Sequence, residues 1–568
     1  MSDATRTPGH DDVVRAVNGV LLPGFTGTDA LPGWLAEAAR DGLAGVVLFG
    51  HNTPDVATTA RLTALLRGAS PDVLVAVDEE GGDVSRLEAT TGSSLPGNAA
   101  LGLVDDVALT QEVGVALGRL LTATGVDLDL APDLDVNSDP DNPVIGVRSF
   151  GADPALVARH GAAFVRGLHA GGAGACGKHF PGHGATNVDS HLALPVVDAS
   201  LDELRARDLP PFAATVAAGD GSDGAVLDAV MTAHVVVPAL GPLPATLEPA
   251  VGALVRELGF EGPIVTDALD MGAVAAFAAG DAGAAPHGIG EVAVRAVEAG
   301  ADLLCLGTTV GRDDEGLFRQ AQRALVDAVA SGRVAIERLH ASAARTARAL
   351  AAVRARQAAS GVVPSPESAL AALDALDRVG ARVAARAVRF ARPAPAGAVV
   401  AAAPDVVDLR LRFDHAAGRT AQHVQRALDE AFGSAVRHLR PADADAWART
   451  LDAVRASDRP LVVLTREPVP GSDERARLEE LCGIRPGAVV VHTGFPGAVA
   501  QWFGAGPDAA PAADAGDARS GGAPGAGPVV VACGTGRANA RAAVALLTGT
   551  RRPPEAAVVG AGAGEGDR

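Results

Sequence analysis

The 568-residue chain contains no tyrosine, and aromatic residues make up only 3% of it. We attribute this scarcity to compositional drift, because alanine, glycine, arginine and aspartate are abundant. The chain has four scattered cysteines, Cys176, Cys305, Cys482 and Cys533, and none of them forms a CxxC pair. A disulfide framework or a thiolate metal site is therefore not expected, and the cysteine content fits a reducing compartment.

Positive charge is also in deficit, with 48 lysines and arginines against 68 acidic residues and a net charge of −20. Such a chain repels phosphates, so a nucleic-acid partner is not expected. The longest uncharged run, between Arg485 and Asp508, contains prolines and glycines, so no membrane span is predicted. The N-terminal residues show no basic segment followed by an apolar one, so no secretory signal is predicted. We expect a soluble, cytoplasmic protein.

Apolar residues make up 48% of the chain, enough for buried cores, and the length favours two domains. Up to about residue 310, short apolar runs alternate with segments of helical character. Eight such alternations predict an α/β fold of the (β/α)8 TIM-barrel type, although an open doubly wound sheet is an alternative. The predicted strands are Gly19–Gly24, Gly45–Gly50, Val73–Val77, Val126–Leu130, Ala173–Gly177, Val230–Ala233, Pro263–Thr266 and Asp302–Leu306.

The remainder of the chain predicts a second α/β unit. A long amphipathic helix over Ile336–Arg356 is expected to close a barrel domain at 1–358, and residues 359–370 are predicted to be a linker. Within 371–568 we expect a low-complexity, mobile loop at 504–528. The other predicted elements of this unit are a helix at Ala371–Phe390 and strands at Gly397–Ala402, Leu461–Thr465, Gly487–His492 and Val529–Cys533.

The richest chemistry lies in the run KHFPGHG at 178–184, followed by Asp189-Ser190-His191. Its proline and glycines exclude a regular helix, so we expect a strand end that leads into a loop. No structural need explains so many titratable side chains in one short stretch. The run therefore predicts an active site.

Other reactive residues also follow predicted strands, which is where barrel enzymes carry their catalytic groups. Asp78-Glu79-Glu80 follows the third strand, Lys178 and His179 follow the fifth, His234 follows the sixth, and Asp267 ends the seventh. Arg148 lies between small and apolar residues after the fourth strand, which favours a buried polar contact. We therefore expect one site on one rim of the barrel.

Two residue sets allow alternative interpretations. Asp267 could cap a helix instead of acting in catalysis, with Asp270 in the first helical turn. His179, His183, Asp189 and His191 could be metal ligands, but Phe-Pro-Gly separates the first two and Lys178 adds a fixed positive charge, so no metal is predicted. The Asp189-x-His191 spacing instead predicts a carboxylate that orients an imidazole and raises its pKa, as in a general acid/base.

Four motifs in this order resemble the bacterial β-N-acetylglucosaminidases of glycoside hydrolase family 3. They are DEEGG (78–82), NPVIGVRSFG (142–151), KHFPGHG with DSH (178–191) and VTDALDM (265–271), and the resemblance runs from about residue 15 to 358. Residues 380–390 and 532–549 resemble that family's second domain, an α/β sandwich. The chain departs from the family pattern at Ala185, where aspartate is frequent, and at Glu79, where glutamine is frequent.

The resemblance implies a retaining, exo-acting enzyme that removes terminal β-linked N-acetylglucosamine and turns over cell-wall fragments. A β-glucosidase side activity is a variant, because some members of the family accept both sugars. In that family Asp267 matches the nucleophile, and Asp189 with His191 matches the acid/base dyad. Asp78, Arg148, Lys178 and His179 match residues that hold the terminal sugar. No metal or organic cofactor is expected. A phosphorylase that transfers the sugar to inorganic phosphate, a metal-dependent hydrolase and a non-catalytic sugar-binding protein are the alternatives.

Overall fold

The computed structural model describes residues 9–186, 194–216, 226–271, 274, 288–307, 311–391, 397–410, 422–503 and 527–551. The chain divides into two compact units. The first runs to Val383 and also includes Gly536–Ala538, and the second begins at Ala384. Among the described residues, no helix combines the length and the apolar character that crossing a bilayer requires.

In the residues that the structure describes, the first unit has eight short strands that follow one another around a barrel. Strands β2 to β7 form a parallel sheet in chain order, and β1 pairs in parallel with β8. Hydrogen bonds from Asp302 N to Ile264 O (2.8 Å) and from Val47 N to Pro23 O (3.1 Å) join β7 to β8 and β1 to β2. The predicted barrel is thereby confirmed, and the open sheet is excluded. The strands are β1 (Leu21–Leu22), β2 (Gly45–Leu48), β3 (Leu74–Val77), β4 (Leu128–Asp129), β5 (Gly174–Phe180), β6 (Ala229–Thr232), β7 (Ile264–Thr266) and β8 (Leu304–Cys305).

The interior of the barrel is filled by side chains from all eight strand segments, as is typical of this architecture. Each strand or its flank sends one or two apolar residues inward, so the barrel is a packed core and not a pore. The buried cluster includes Leu22, Val47, Leu74, Ala76, Leu128, Cys176, Ala229, Met231, Val265, Leu303 and Cys305.

Helices connect the strands of the first unit, and several begin at an aspartate whose carboxylate caps them. Asp153, for example, accepts hydrogen bonds from the backbone N–H groups of Ala155 and Leu156, with Pro154 in the first turn. The helices are α1 (His10–Asn18), α2 (Gly33–Arg40), α3 (Val56–Ala69), α4 (Asn98–Val104), α5 (Val107–Ala123), α6 (Pro154–Gly171), α7 (Leu201–Arg207), α8 (Leu209–Val216), α9 (Pro249–Glu257), α10 (Ile289–Glu298), α11 (Asp314–Ala330), α12 (Ile336–Ser360) and α13 (Pro366–Ala387).

Three buried aspartates fasten the start of the barrel to helix α12. Asp127, Asp228 and Asp302 precede β4, β6 and β8, and each accepts a backbone N–H from the strand before it, at 2.9 to 3.1 Å. Arginines of α12 approach all three carboxylates; the nearest atoms of Arg356 and Asp228 are 2.5 Å apart. The predicted closing helix is therefore confirmed, and it covers the N-terminal ends of the strands.

The predicted linker at 359–370 is mostly helical. Helix α12 ends at Ser360 because Gly361 adopts a left-handed conformation (φ 70°), and α13 begins at Pro366, a residue suited to a first turn. Only residues 361–365 lie between the two helices. Helix α13 also ends at Ala387, three residues before the predicted end, and most of it belongs to the first unit.

Over its described residues, the second unit has a six-stranded sheet in the order β11-β10-β12-β13-β14-β9, in which only the edge strand β9 is antiparallel. Its strands are β9 (Arg389–Phe390), β10 (Asp405–Asp408), β11 (Arg437–Leu439), β12 (Leu461–Thr465), β13 (Val489–His492) and β14 (Val529–Val531). Its helices are α14 (His423–Phe432), α15 (Ala444–Arg455), α16 (Asp473–Ile484), α17 (Val499–Phe503) and α18 (Arg537–Leu547).

One predicted strand of this unit is wrong. Residues 397–402 form bends and irregular backbone, and Val399 N and Val400 N both donate to Leu547 O at 2.9 Å. The strand that follows is Asp405–Asp408. The predictions for β12, β13 and β14 are confirmed, whereas residues 504–526 of the predicted loop lie outside the described part of the chain.

Candidate active site

The structure brings four of the predicted site residues together at the C-terminal ends of the barrel strands. Asp78 follows β3, Lys178 and His179 lie near the end of β5, and Arg148 lies in the loop that follows β4. The Nζ atom of Lys178 is 2.8 Å from Asp78 Oδ1, and Arg148 Nη2 is 3.2 Å from His179 Nε2.

Glu80 joins these two pairs, although the sequence predicted it only as one of the reactive residues that follow the third strand. Its Oε1 atom lies 2.6 Å from Lys178 Nζ and 2.8 Å from Arg148 Nη2, and its Oε2 accepts from Arg148 Nε at 2.9 Å. Side chains alternate along an extended backbone, so Glu80 faces the same side as Asp78. That spacing was the available signal in the sequence.

The charges of these four side chains, Asp78, Glu80, Lys178 and Arg148, stabilise one another. Burial alone would raise the pKa of Glu80, but Arg148 and Lys178 outweigh it and hold that pKa well below its usual value. Lys178 and Arg86 lower the pKa of Asp78 in the same way. Burial would lower the pKa of Lys178, yet Asp78 and Glu80 outweigh it and raise that pKa. Asp78, Lys178, Glu80 and Arg148 are therefore ionised groups of alternating sign, and together with His179 they form the polar array of this site.

A turn at Gly81 and Gly82 directs the chain back toward Asp78. Both glycines have positive φ (81° and 62°), and a Cβ on Gly82 would lie 2.9 Å from the Cα of Gly97. The returning segment places Arg86 Nη2 3.6 Å from Asp78 Oδ2. Arg86 is a further site residue that the sequence analysis missed.

Glu79 supports this turn from the opposite side. It is 1% exposed, and its Oε2 accepts from the backbone N–H groups of Arg86 and Leu87 at 2.8 Å each. Burial raises the pKa of Glu79 to about 7. A buried carboxyl group therefore accepts the two backbone N–H groups of this returning segment.

His179 is fixed by two polar neighbours. Its Nδ1 lies 2.7 Å from Asp135 Oδ2, and its Nε2 faces the guanidinium of Arg148. Burial and the charge of Arg148 lower the pKa of His179 to about 4, so the ring is neutral near pH 7. Asp133 and Asp135 follow β4 and were not singled out, although they continue the alternating aspartates of the run DLDLAPDLD (127–135).

Asp267 follows β7 and is half-buried. Its N–H donates to Thr232 O at 3.2 Å, and its Oδ1 accepts from Ala268 N at 2.7 Å. Its negative charge acts to raise the pKa of His179 and His183, although burial dominates and lowers both. Asp267 therefore lies within electrostatic reach of the array. Residues 267–271 form loop and turn, so within the described residues no helix starts here for Asp267 to cap.

His234 contacts the backbone next to Asp267. The Nε2 of His234, a fully buried residue, lies 2.9 Å from the carbonyl oxygen of Ala268, and its Nδ1 lies 2.9 Å from Thr246 Oγ1. Asp270 lies in a turn and not in a helix, and its Oδ2 is 3.3 Å from Arg312 Nη1.

The two residues predicted to form the acid/base dyad, Asp189 and His191, lie outside the described residues. The chain that leads to them is anchored up to Thr186, whose hydroxyl is 2.8 Å from His183 Nδ1. Asn142 Nδ2 also donates to His183 O at 2.9 Å. The KHFPGHG motif (178–184) therefore has defined contacts up to the last described residue before the dyad, Thr186.

Three buried residues could in principle hold a metal ion. Donor atoms of Asp133, Asp135 and His179 all lie within 4.8 Å of one another. However, Arg148 Nε lies 3.7 Å from Asp133 Oδ2, so a fixed cation already balances this acidic group. We assign no metal to these residues.

Comparison with known proteins identifies the class. The model of the glycosyl hydrolase family 3 N-terminal domain matches residues 33–349. The chain belongs to glycosyl hydrolase family 3, as the four motifs indicated.

Individual relatives agree with this family. The chain is 34% identical over 344 residues to the β-hexosaminidase A of Pseudoalteromonas piscicida, covering 56% of this chain and 55% of that protein. It is 39% identical over 277 residues to a β-hexosaminidase of Stenotrophomonas maltophilia (strain R551-3), covering 47% of this chain and 79% of the relative. The chain thus spans only about half the length of the Pseudoalteromonas protein.

Among solved structures, the fold is similar to that of a family 3 β-N-acetylglucosaminidase from Paenibacillus sp. str. FPU-7. The TM-score is 0.74 at 29% sequence identity, and the match covers 95% of this chain and 97% of the other. This similarity extends over both units.

Proposed function

We propose that the protein is a retaining, exo-acting glycosidase that removes terminal β-linked N-acetylglucosamine. The observation that carries this proposal is the array of Asp78, Lys178, Glu80, Arg148 and His179 at the strand ends, within electrostatic reach of Asp267. All of its members except the half-buried Asp78 are buried. The names of the Stenotrophomonas and Paenibacillus relatives support the substrate class. We expect cell-wall fragments to be the natural source of such substrates, and we expect the protein to act in the cytoplasm.

The array suits recognition of sugar hydroxyl groups. Asp78 accepts hydrogen bonds, Lys178 and Arg148 donate them, and charged partners make such bonds strong. Because Glu80 already holds both cations in place, little ordering is needed when the sugar binds.

In the proposed reaction a carboxylate oxygen of Asp267 attacks the anomeric carbon, and the bond to the leaving oxygen breaks. His191, oriented by Asp189, donates a proton to that oxygen. Water then attacks the glycosyl-aspartate while His191 takes up a proton, and the sugar leaves with its original configuration.

The histidine in place of a second carboxylate favours inorganic phosphate as a second acceptor. An anionic glutamate would repel phosphate by ~4 kcal/mol for unit charges about 4 Å apart at an effective dielectric constant of about 20. A neutral imidazole imposes no such repulsion. Phosphorolysis would yield N-acetylglucosamine 1-phosphate.

One assay tests these alternatives. The purified protein is incubated with an aryl β-N-acetylglucosaminide and with the β-glucoside, each with and without phosphate, and the sugar product is identified. We expect free N-acetylglucosamine and slower release of glucose. Sugar 1-phosphate as the main product would assign a phosphorylase. Binding without turnover, equal in the wild type and Asp267→Asn, would assign a sugar-binding protein.

A further inference from the structure

The carboxylate of Asp135 makes three hydrogen bonds to the KHFPGHG motif. Asp135 is 1% exposed. Its Oδ2 accepts from His179 Nδ1 at 2.7 Å and from His179 N at 3.3 Å, and its Oδ1 accepts from His183 N at 2.6 Å. A single carboxylate thus holds both histidines of the motif through their backbone N–H groups.

The position of Asp135 is itself fixed. Its backbone N–H donates to Asp133 Oδ1 at 2.9 Å, and its carbonyl oxygen accepts from Ser149 Oγ at 2.6 Å. A parallel backbone bridge also pairs Asp133 with Lys178, so the chain after β4 stays paired with β5 up to the site. These bonds connect Asp135 to both the Arg148 loop and the end of β5.

The neighbours of His179 determine which ring nitrogen carries the proton. Arg148 has donors only, and its Nη2 lies 3.2 Å from His179 Nε2, so Nε2 must be the acceptor. The proton of the neutral ring therefore lies on Nδ1, where Asp135 accepts it.

We propose that Asp135 is a positioning residue, which fixes the Nδ1–H tautomer of His179 and thereby keeps Arg148 directed toward the sugar. This inference rests on the proposed function, because it assigns Arg148 and His179 to sugar binding. Asp135 itself does not contact the reacting atoms in this account.

Asp135→Asn is the sharpest test because an amide cannot satisfy all these donors. If its oxygen accepts from His179 Nδ1, its NH2 group faces the N–H of His183. If the amide group is rotated by 180°, its NH2 group donates to His179 Nδ1. The ring proton then lies on Nε2, where it faces the N–H donor of Arg148. Either arrangement displaces a group of the site, and a displacement of about 1 Å can cost ~100-fold in rate.

Asp228→Asn is the matched control. Asp228 is also a buried aspartate that accepts from a histidine ring (His169 Nε2, 2.9 Å) and from a backbone N–H of β5 (Ala175, 3.0 Å), but it lies at the opposite end of that strand. It shares these acceptor contacts with Asp135 and also pairs with Arg356 of α12 (2.5 Å), so Asp228→Asn should destabilise the fold at least as much as Asp135→Asn. Any general effect of a buried Asp→Asn change should therefore appear in Asp228→Asn at least as strongly.

We expect Asp135→Asn to lower kcat/KM on an aryl β-N-acetylglucosaminide by ~100-fold, with a Tm no lower than that of Asp228→Asn, which should retain kcat/KM within about threefold. The ¹⁵N spectrum of histidine-labelled wild-type protein should show His179, assigned with His179→Gln, as the Nδ1–H tautomer. Equal losses in the two variants, or an Nε2–H tautomer in the wild type, would overturn the proposal. Absence of glycosidase activity in the wild type would refute the proposed function, while the spectrum would still test the tautomer.

Discussion

Arg148 and Glu80 form a bidentate ion pair at the strand ends of the barrel. Arg148 Nη2 lies 2.8 Å from Glu80 Oε1, and Arg148 Nε lies 2.9 Å from Glu80 Oε2. Both side chains are less than a tenth exposed. Because the planar guanidinium meets both carboxylate oxygens, its orientation is fixed as well as its charge.

Arg148→Lys should therefore lower kcat/KM at least about tenfold, a loss of ~1.4 kcal/mol in transition-state stabilisation. An ammonium group keeps the charge but cannot form the planar, bidentate pair with Glu80. Steady-state kinetics on an aryl β-N-acetylglucosaminide measures this change. Arg159→Lys is the control, since Arg159 also forms a bidentate pair, with Asp105, but on the exposed outer surface. If the kcat/KM of Arg148→Lys lay within about twofold of the wild-type value, the bidentate pair would be dispensable.

The barrel could be predicted because its strands are short apolar runs, buried on both faces, at regular intervals. The strand predicted at 397–402 failed because an apolar run alone does not show its partners. Gly397 has a positive φ of 103°, and the next residues bond to Leu547 instead of to a strand.

The true strand β10 was missed because only two valines separate Asp405 from Asp408. Both aspartates are buried because each forms an ion pair, Asp405 with Arg437 (2.6 Å) and Asp408 with Arg410 (2.8 Å). The sequence alone does not show these pairs. Acidic ends of this kind are typical of loops in a sequence read alone.

The candidate site divides in the same way. The motifs indicated Asp78, Arg148, Lys178 and His179, because reactive residues at strand ends stand out. Glu80, Arg86 and Asp135 act between neighbouring strands and loops, so their roles depend on which side chains the barrel brings together. The linker prediction failed because Pro366 and Ser360 suit helix ends as well as loops.

A second prediction concerns pH and stability. Burial raises the pKa of Glu79 to about 7, so the folded protein keeps a proton that the unfolded chain releases at a lower pH. Stability is therefore lost as the pH rises from about 4 through 7. Glu79→Gln removes this titration. The free energy of unfolding of the variant, relative to that of the wild type, should therefore rise across this pH range by up to about 3 kcal/mol.

Urea denaturation at pH 5 and pH 8 measures this difference. Glu430→Gln, at an exposed position of α14, is the control and should show no such trend. A Glu79→Gln protein whose relative stability is the same at both pH values would contradict the assignment of a buried, protonated carboxyl group.

A third prediction concerns the base of the barrel. Asp302 is fully buried and lies 2.6 to 3.1 Å from Arg256, Arg338 and Arg345. Asp302→Ala leaves these guanidinium groups without their carboxylate, and we expect a loss of about 3 kcal/mol in the free energy of unfolding. Glu298→Ala, which removes an exposed partner of Arg333, should cost less than about 1 kcal/mol. Similar losses in both variants would argue against an anchoring role for Asp302.

A fourth prediction tests the acid/base role of His191. A proton donor matters most when the leaving group is poor, so His191→Ala should impair a natural disaccharide far more than a nitrophenyl glycoside. Asp189→Ala should show a milder form of the same pattern. Initial rates on the two substrates measure the ratio, and equal losses on both would make His191 a binding residue.

The covalent intermediate on Asp267 is the central claim, and mass spectrometry of the labelled protein tests it most directly. The intact protein is treated with a mechanism-based fluorosugar, which slows breakdown of the glycosyl-enzyme, and its peptides are mapped. We expect one label, located on Asp267, and none in Asp267→Ala, which should also be nearly inactive. A label on Asp270, or on no carboxylate, would contradict the proposed mechanism.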